Sequence, residues 1–340
     1  MEHEMKEYFG HEWQNAGTMR IRFTEGRTDG TRAILAENGC GLSLIILEDR
    51  CLDIYSLKVN GVNVPFLSKC GPVHPKYYDA NEWEWLRSFG VGFLTTCGLT
   101  QAGEPCRYNH AEWGLHGPIS NIPAENVTIE NTDTAITIRG RVRQYKFQTE
   151  DMLLERIITI KKDCNKIAIS DTVTNEGWKE QPFMLLYHYN FGYPLLNQNS
   201  ALQLPEAEIE GWDDYSASIQ DRHLEMAGPD MNYREQTFIH KLKQKGGQAC
   251  FALADNREHP ELSVVCNYNC ENLPYITQWK HYKPGEYVMA IEPCNNHVKG
   301  AKWEAENGTL CTLAPGEKRL THFTFSFFTE NIRLDEFFNG

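Results

Sequence analysis

The chain has 340 residues, 41% of them hydrophobic, enough to bury a large core. Its 33 basic and 46 acidic side chains leave a net charge of −13, and no lysine- or arginine-rich run marks a phosphate-tracking surface, which argues against nucleic acid as a partner. No stretch approaches the ~20 apolar residues of a membrane-spanning helix, Met1–Glu7 is charged where a secretory signal would be apolar, and eleven cysteines are scattered without a repeated spacing. Together these predict a cytoplasmic protein with reduced thiols, no membrane contact and a single domain over residues 1–340.

Residues 32–67 hold short apolar runs broken by glycine, and Asn60-Gly61 between two of them predicts a hairpin. Asp49, Arg50 and Asp53 lie just before it, where strand ends often carry structural ion pairs; the functional alternative is that Asp53 faces a substrate. Residues 68–125 are rich in glycine, proline and aromatics, and too long to be an idle connection. They supply Trp83 and Trp85 as aromatic surface, Arg87 as a fixed positive charge, and a short strand around Phe93–Leu99. His110 and His116 follow, and Gly114 and Gly117 around the second would let backbone approach a ligand closely.

From 126 to 175 the pattern alternates plainly. Ile136, Ile138 and Val142 share one face and Arg139, Arg141 and Arg143 the other, which predicts long half-solvated antiparallel strands with a solvated arginine row. Phe183–Leu196 is an apolar and aromatic run that reads as a buried strand; strand geometry puts His188 and Asn190 on one face, where each needs a partner. Residues 197–247 are polar, with turn signals and few strands, and read as a surface excursion. Strand character returns over Gln248–Ala254, Leu262–Tyr268, Tyr275–Lys280, Glu286–Glu292 and Arg319–Phe328. Glu292 closes one of these strands just before Pro293, a good position for a reacting carboxylate.

With hardly any helical periodicity, no βαβ alternation and no Gly-x-Gly-x-x-Gly or Gly-x-x-x-x-Gly-Lys, the expected fold is all-β, a large antiparallel β-sandwich, and no nucleotide cofactor is expected. Cys266 and Cys270, two thiols on one strand, cannot close a zinc site alone.

In order, Asp49-Arg50-Cys51-Leu52-Asp53-Ile54, Gly114-Leu115-His116-Gly117-Pro118-Ile119-Ser120-Asn121, His188-Tyr189-Asn190, Gln278-Trp279-Lys280 and Ile291-Glu292-Pro293 span nearly the whole chain. This set resembles the aldose 1-epimerase (galactose mutarotase-like) superfamily and, more narrowly, its DUF4432-like branch. The resemblance implies a β-supersandwich and a cofactor-free, metal-free isomerase acting on a small-molecule sugar. It makes His188 the acid at the ring oxygen, Glu292 the base at the anomeric hydroxyl, and His116 a hydrogen-bond donor on the ring-oxygen side. The Asn-Arg loop that precedes the first histidine in better-known mutarotases is missing; Arg87 or Lys280 is the expected replacement for its charge, Asp53 or Asp230 for the sugar-binding aspartate, with Asn190 and Trp279 as further substrate contacts. Two other classes compete: a non-catalytic carbohydrate-binding protein, and a metal-dependent sugar isomerase or lyase in which His74, His110, His116, His188 and His297 would gather around an ion.

Overall fold

A computed structural model describes residues 7–243, 246–255 and 262–329; most of the charged N-terminal stretch Met1–Glu7 lies outside them. The architecture is all-β, built on three antiparallel sheets of five, eight and six strands. The five-stranded sheet runs in chain order from Gly17–Arg22 to Val62–Asn63. Its last hairpin turns at Asn60 and Gly61, whose φ values of 49° and 81° are those of the turn that an Asn-Gly pair favours. The eight-stranded sheet holds the long alternating strands Ala135–Lys146, Glu150–Lys161 and Lys166–Asn175 beside Lys318–Phe328. Ile136, Ile138 and Val142 are fully buried, as the alternation predicts. The arginine row outside them is engaged with carboxylates, Arg139 with Glu130 and Arg143 with Asp151 and Glu176.

The six-stranded sheet is ordered Ala207–Gly211, Gln236–Leu242, Tyr275–Lys283, Glu286–Cys294, Met184–Phe191 and Leu94–Leu99. Its two faces do different work. On Met184–Phe191 the odd positions Tyr187, Tyr189 and Phe191 point into the sandwich core, where Tyr187 packs 4.6 Å from Phe323 and Tyr189 4.7 Å from Phe325. The even positions face away from that core: Met184 and Leu186 join Trp85, Phe89 and Leu115 in a second cluster beneath the 68–125 segment. His188 shares that face. The long segment is therefore a lid of ordered backbone over one face of a sheet.

Two expectations are corrected here. Residues 197–247 are no mere excursion, because Ala207–Gly211 and Gln236–Leu242 are strands of the six-stranded sheet; their polar, short-period sequence hid a pairing that only the register with Tyr275–Lys283 reveals. Asp53 does not face a cleft. It is buried, and it joins a node at which all three sheets meet. Arg156, with a side chain wholly withdrawn from solvent, binds Asp171 through Nε (2.9 Å) and Nη2 (2.6 Å), Asp53 and the Cys51 carbonyl through Nη1 (2.8 and 3.0 Å), and Thr96 Oγ1 through Nη2 (2.9 Å). All five guanidinium hydrogens have acceptors. Thr96 donates its hydroxyl and amide hydrogens to Asp53, and the Tyr187 hydroxyl donates to Asp171. Asp49 is likewise committed, to Arg32 rather than to its neighbour Arg50.

All eleven cysteines are free thiols. No helix among the described residues is long and apolar enough to cross a membrane.

Candidate active site

The pairing of Tyr189 with Ile291 and Asn190 with Ala290 sets His188 level with Glu292 on adjacent strands and on the same face. Their side chains meet: His188 Nε2 lies 3.3 Å from Glu292 Oε1. Both are nearly sealed, at 4% and 2% exposure. Loss of hydration is the first cause of both titration shifts, holding the imidazole down at about 3 and pushing the carboxyl well above its usual range, with Glu235 adding to the latter. Burial therefore favours the uncharged form of each, an imidazole beside a carboxylic acid, with one transferable proton between the two groups.

His116 completes the cluster, its ring centroid 5.9 Å from that of His188 and 4.9 Å from Trp85. It comes from the loop after the Ala111–Trp113 strand, with φ at 57°. The loop is pinned on both sides: His116 donates its amide hydrogen to the Gly103 carbonyl (2.9 Å) and accepts at its own carbonyl from Gly98 (3.0 Å). Gly117, at φ 69°, has no room for a side chain, since a Cβ would fall 2.4 Å from the Gly98 oxygen. The close approach that this glycine permits is thus to protein backbone, not to a ligand as the sequence suggested. His116 Nδ1 accepts from the Gly103 amide at 3.4 Å, which leaves the ring proton on Nε2, and burial holds the group neutral with its titration at about 4. It is an uncharged N–H donor.

The three side chains open onto one cleft of ≈650 Å³. Trp279 forms part of its wall, its ring 5.6 Å from His188 and its Nε1 donating to Glu235 Oε1 at 2.7 Å; Phe89 packs against the His188 ring from another side at 5.2 Å. His188, Glu292, His116 and Trp279 are therefore brought together as the sequence reading placed them. Five other candidates are not.

Lys280 follows Trp279 and so points to the opposite face of the sheet, where Nζ donates to the carbonyls of His223 (2.9 Å) and Glu225 (3.2 Å) and burial lowers its titration to about 8. Arg87 is exposed and paired with Glu84. Asp53 belongs to the Arg156 node. Asn190 keeps the face of His188 but lies sealed behind it, donating to the Gly92 carbonyl (2.9 Å) and the His188 carbonyl (2.8 Å). Asp230, the other candidate aspartate, turns on itself, accepting from the Asn232 amide at 2.9 Å.

The five histidines of the metal reading do not gather. His74 caps a short 3₁₀ turn through its ring nitrogen, His110 sits in the tight turn between Cys106–Tyr108 and Ala111–Trp113, and His297 is held by Glu304 at 3.0 Å. Among the described residues, no group of three or more His, Cys, Asp or Glu is spaced to hold an ion. Sequence reasoning missed Glu235, Glu286, Trp212 and Phe89 at the cleft. The signal for Glu235 and Glu286 was alternation with Thr237 and Val288, visible once the strands are in register.

Asn190 Oδ1 and His188 Nδ1 are both buried without a hydrogen-bond partner within bonding distance, and the amide favours the charged form of the ring. If His188 transfers a proton in a reaction at this site, Asn190→Asp should move the corresponding pH-rate limb upward, since a carboxylate there stabilises the imidazolium, and Asn190→Leu should move it downward with a roughly tenfold loss of kcat. A purely structural residue would shift melting temperature and leave the limb in place.

A family model described as "Domain of unknown function (DUF4432)" matches residues 28–327. A proposed aldose 1-epimerase from Klebsiella pneumoniae subsp. pneumoniae superposes with a TM-score of 0.85 at 20% identity, over 95% of this chain and 89% of its own. A galactose mutarotase-like protein from Clostridium acetobutylicum gives 0.66 at 14% identity, over 94% and 100%. Galactose 1-epimerase from Lactobacillus acidophilus gives 0.59 at 11%, over 93% and 100%. No curated protein matches by sequence. At these identities the superpositions establish the fold, a galactose mutarotase-like β-sandwich.

Proposed function

The chain belongs to the DUF4432 family, and from that premise we propose that it is a cytoplasmic aldose 1-epimerase-like isomerase that interconverts the anomers of a free sugar. One observation carries this reading: His188 Nε2 and Glu292 Oε1 lie 3.3 Å apart at the floor of a cleft that also holds the N–H donor His116. Anomer exchange needs one proton delivered to the ring oxygen and one removed from the anomeric hydroxyl. Shifting the shared proton from Glu292 to His188 gives imidazolium and carboxylate. His188 then protonates the ring oxygen as the C1–O5 bond breaks, Glu292 takes the hydroxyl proton as the C1=O1 double bond forms, and His116 donates to the ring-oxygen side.

The products are an open-chain aldehyde and the neutral pair. That is the charge state burial already favours, so the low polarity of the site stabilises the stage at which the aldehyde rotates. Closure on either face of the carbonyl returns both protons. The protein's own groups balance the reaction without a cofactor.

The test is anomer exchange in a panel of free sugars, followed by polarimetry or exchange NMR; no acceleration over the buffer rate with any sugar excludes the reading. Its pH behaviour carries a second expectation. His116, His188 and His240 are all held below the ordinary imidazole value by burial. Unfolding releases them to titrate near 6.5, so the unfolded chain binds more protons between about pH 4 and 6.5 and stability falls as pH drops through that window. Glu292 works in the opposite sense, holding a proton when folded that it loses when unfolded. The net expectation is a loss of roughly 1–3 kcal/mol per pH unit, read from thermal melts at pH 7, 6 and 5.

A further inference from the structure

The charge of the cleft has a consequence for its ligand. Among the described residues lining it, Glu104, Asp213, Glu235 and Glu286 carry carboxylates beside the buried acid Glu292, and none is lysine or arginine. The nearby cations are held outside the lining. Lys280 is bonded on the far face of the sheet, Arg87 is paired with Glu84 and Arg234 lies 3.8 Å over the Tyr215 ring, while Lys299 lies behind the cleft wall, 5.3 Å from the Trp212 ring and 5.4 Å from that of Trp303. His281, 3.1 Å from Glu286 and 3.8 Å from Glu235, can offset one carboxylate at most.

Two further facts tie this charge to a bound molecule. Glu292, 2% exposed and lining the cleft, has His188 as its only polar contact among the described residues, so a polar side chain is sealed there with bonding capacity left for a ligand. Glu235 is fixed beside the Trp279 wall by the indole N–H, close enough to Glu292 to disfavour its ionisation. A cleft lined by one sign of charge between low-dielectric walls focuses its field on whatever enters.

We propose that the cleft takes an amino sugar in its ammonium form in preference to the uncharged sugar, and excludes sugar phosphates and uronates, with Glu235 as the residue that reads the charge. This rests on the proposed sugar-isomerase reading for the identity of the ligand as a monosaccharide. The ammonium would sit against Glu235 while the anomeric carbon faces His188 and Glu292. A phosphate or carboxylate would add a further negative charge to a cleft whose described lining holds no lysine or arginine.

The experiment compares glucosamine and galactosamine with their parent hexoses, their N-acetyl forms, the hexose 6-phosphates and the uronic acids, by exchange NMR at pH 6.5. In parallel, the methyl glycosides of the same sugars, which cannot open, report binding alone by calorimetry. The expected result is a kcat/KM and an affinity at least tenfold higher for the amino sugar than for its N-acetyl form, and at least tenfold lower for the anionic sugars than for the parent hexose. The preference should vanish near pH 9, where the amine is neutral, and shrink in 0.5 M salt, because the Glu235 and Glu286 side chains are 58% and 68% exposed. Glu235→Gln keeps an acceptor for Trp279 and should cut the preference several-fold.

Equal use of hexose and hexose 6-phosphate, or an unchanged ratio in Glu235→Gln, overturns the inference while leaving the epimerase reading intact. Selective binding of the methyl aminoglycoside with no anomer exchange in any free sugar leaves the ligand class standing and removes the epimerase.

Discussion

Glu292→Gln is expected to lower anomer exchange by about 10² to 10⁴ while the protein still folds and binds sugar. The amide keeps the size of the carboxyl and can still bond to His188, but it can neither take a proton from the anomeric hydroxyl nor hold the proton that the resting pair shares. His188→Ala should cost a similar factor by removing the partner at the ring oxygen. In the proposed mechanism both groups act in one concerted transfer, so the double variant should be little slower than either single one; a product of the two losses would instead indicate independent roles. Stability should move the other way. Burying an ionisable group that is held far from its ordinary value is costly, so Glu292→Gln should melt at or above the temperature of the unaltered protein at pH 8. A wild-type exchange rate in both single variants would remove the pair from the chemistry altogether.

How far the sequence leads depends on the range of the signal. The alternation of Ile136, Ile138 and Val142 and of Phe323, Phe325 and Phe327 is local, fixed by a period of two, and each of these residues is buried. The Asn60-Gly61 turn is local too. His188 and Glu292 could be picked out because a histidine in an aromatic run and a carboxylate before a proline stand out from their own neighbours. What the sequence could not carry was register and parity across strands distant in the chain. Lys280 looked suited to the cleft until pairing with Met289 fixed its face, one residue out of phase with Trp279. Glu235 is an ordinary surface glutamate until Gln236–Leu242 takes its place beside Tyr275–Lys283. Asp53 was recognised as set in a distinctive motif, but its partners Arg156 and Asp171 lie over one hundred positions away, in strands whose alternation gave no hint of a buried charge.

That node makes the second large expectation. Arg156→Met should destabilise the fold by about 3–5 kcal/mol, lowering the melting temperature by roughly 5–10 °C. The methionine fills part of the guanidinium's space, so the loss does not come mainly from a void. It comes from Asp53 and Asp171, which would be left in a site without water and without their shared cation, and from the Cys51 carbonyl and Thr96 hydroxyl, which lose their donor. Burial already pushes the Asp53 carboxyl up, and Arg156 is the largest influence restraining it. Without the arginine Asp53 should bind a proton on folding, so the deficit of the variant should shrink as pH falls from 7 to 5. The triple change Arg156→Met, Asp53→Asn and Asp171→Asn removes every charge at once and should recover a large part of the loss, because an absent ion network costs far less than a broken one. If Arg156→Met melted like the unaltered protein, the three sheets would be held by their shared apolar core alone. The node's cost is thus separable from the cleft's chemistry: Tyr187 donates to Asp171 from the strand that carries His188, but its side chain leaves the opposite face, so exchange rates measured well below the melting point should change little in the triple variant.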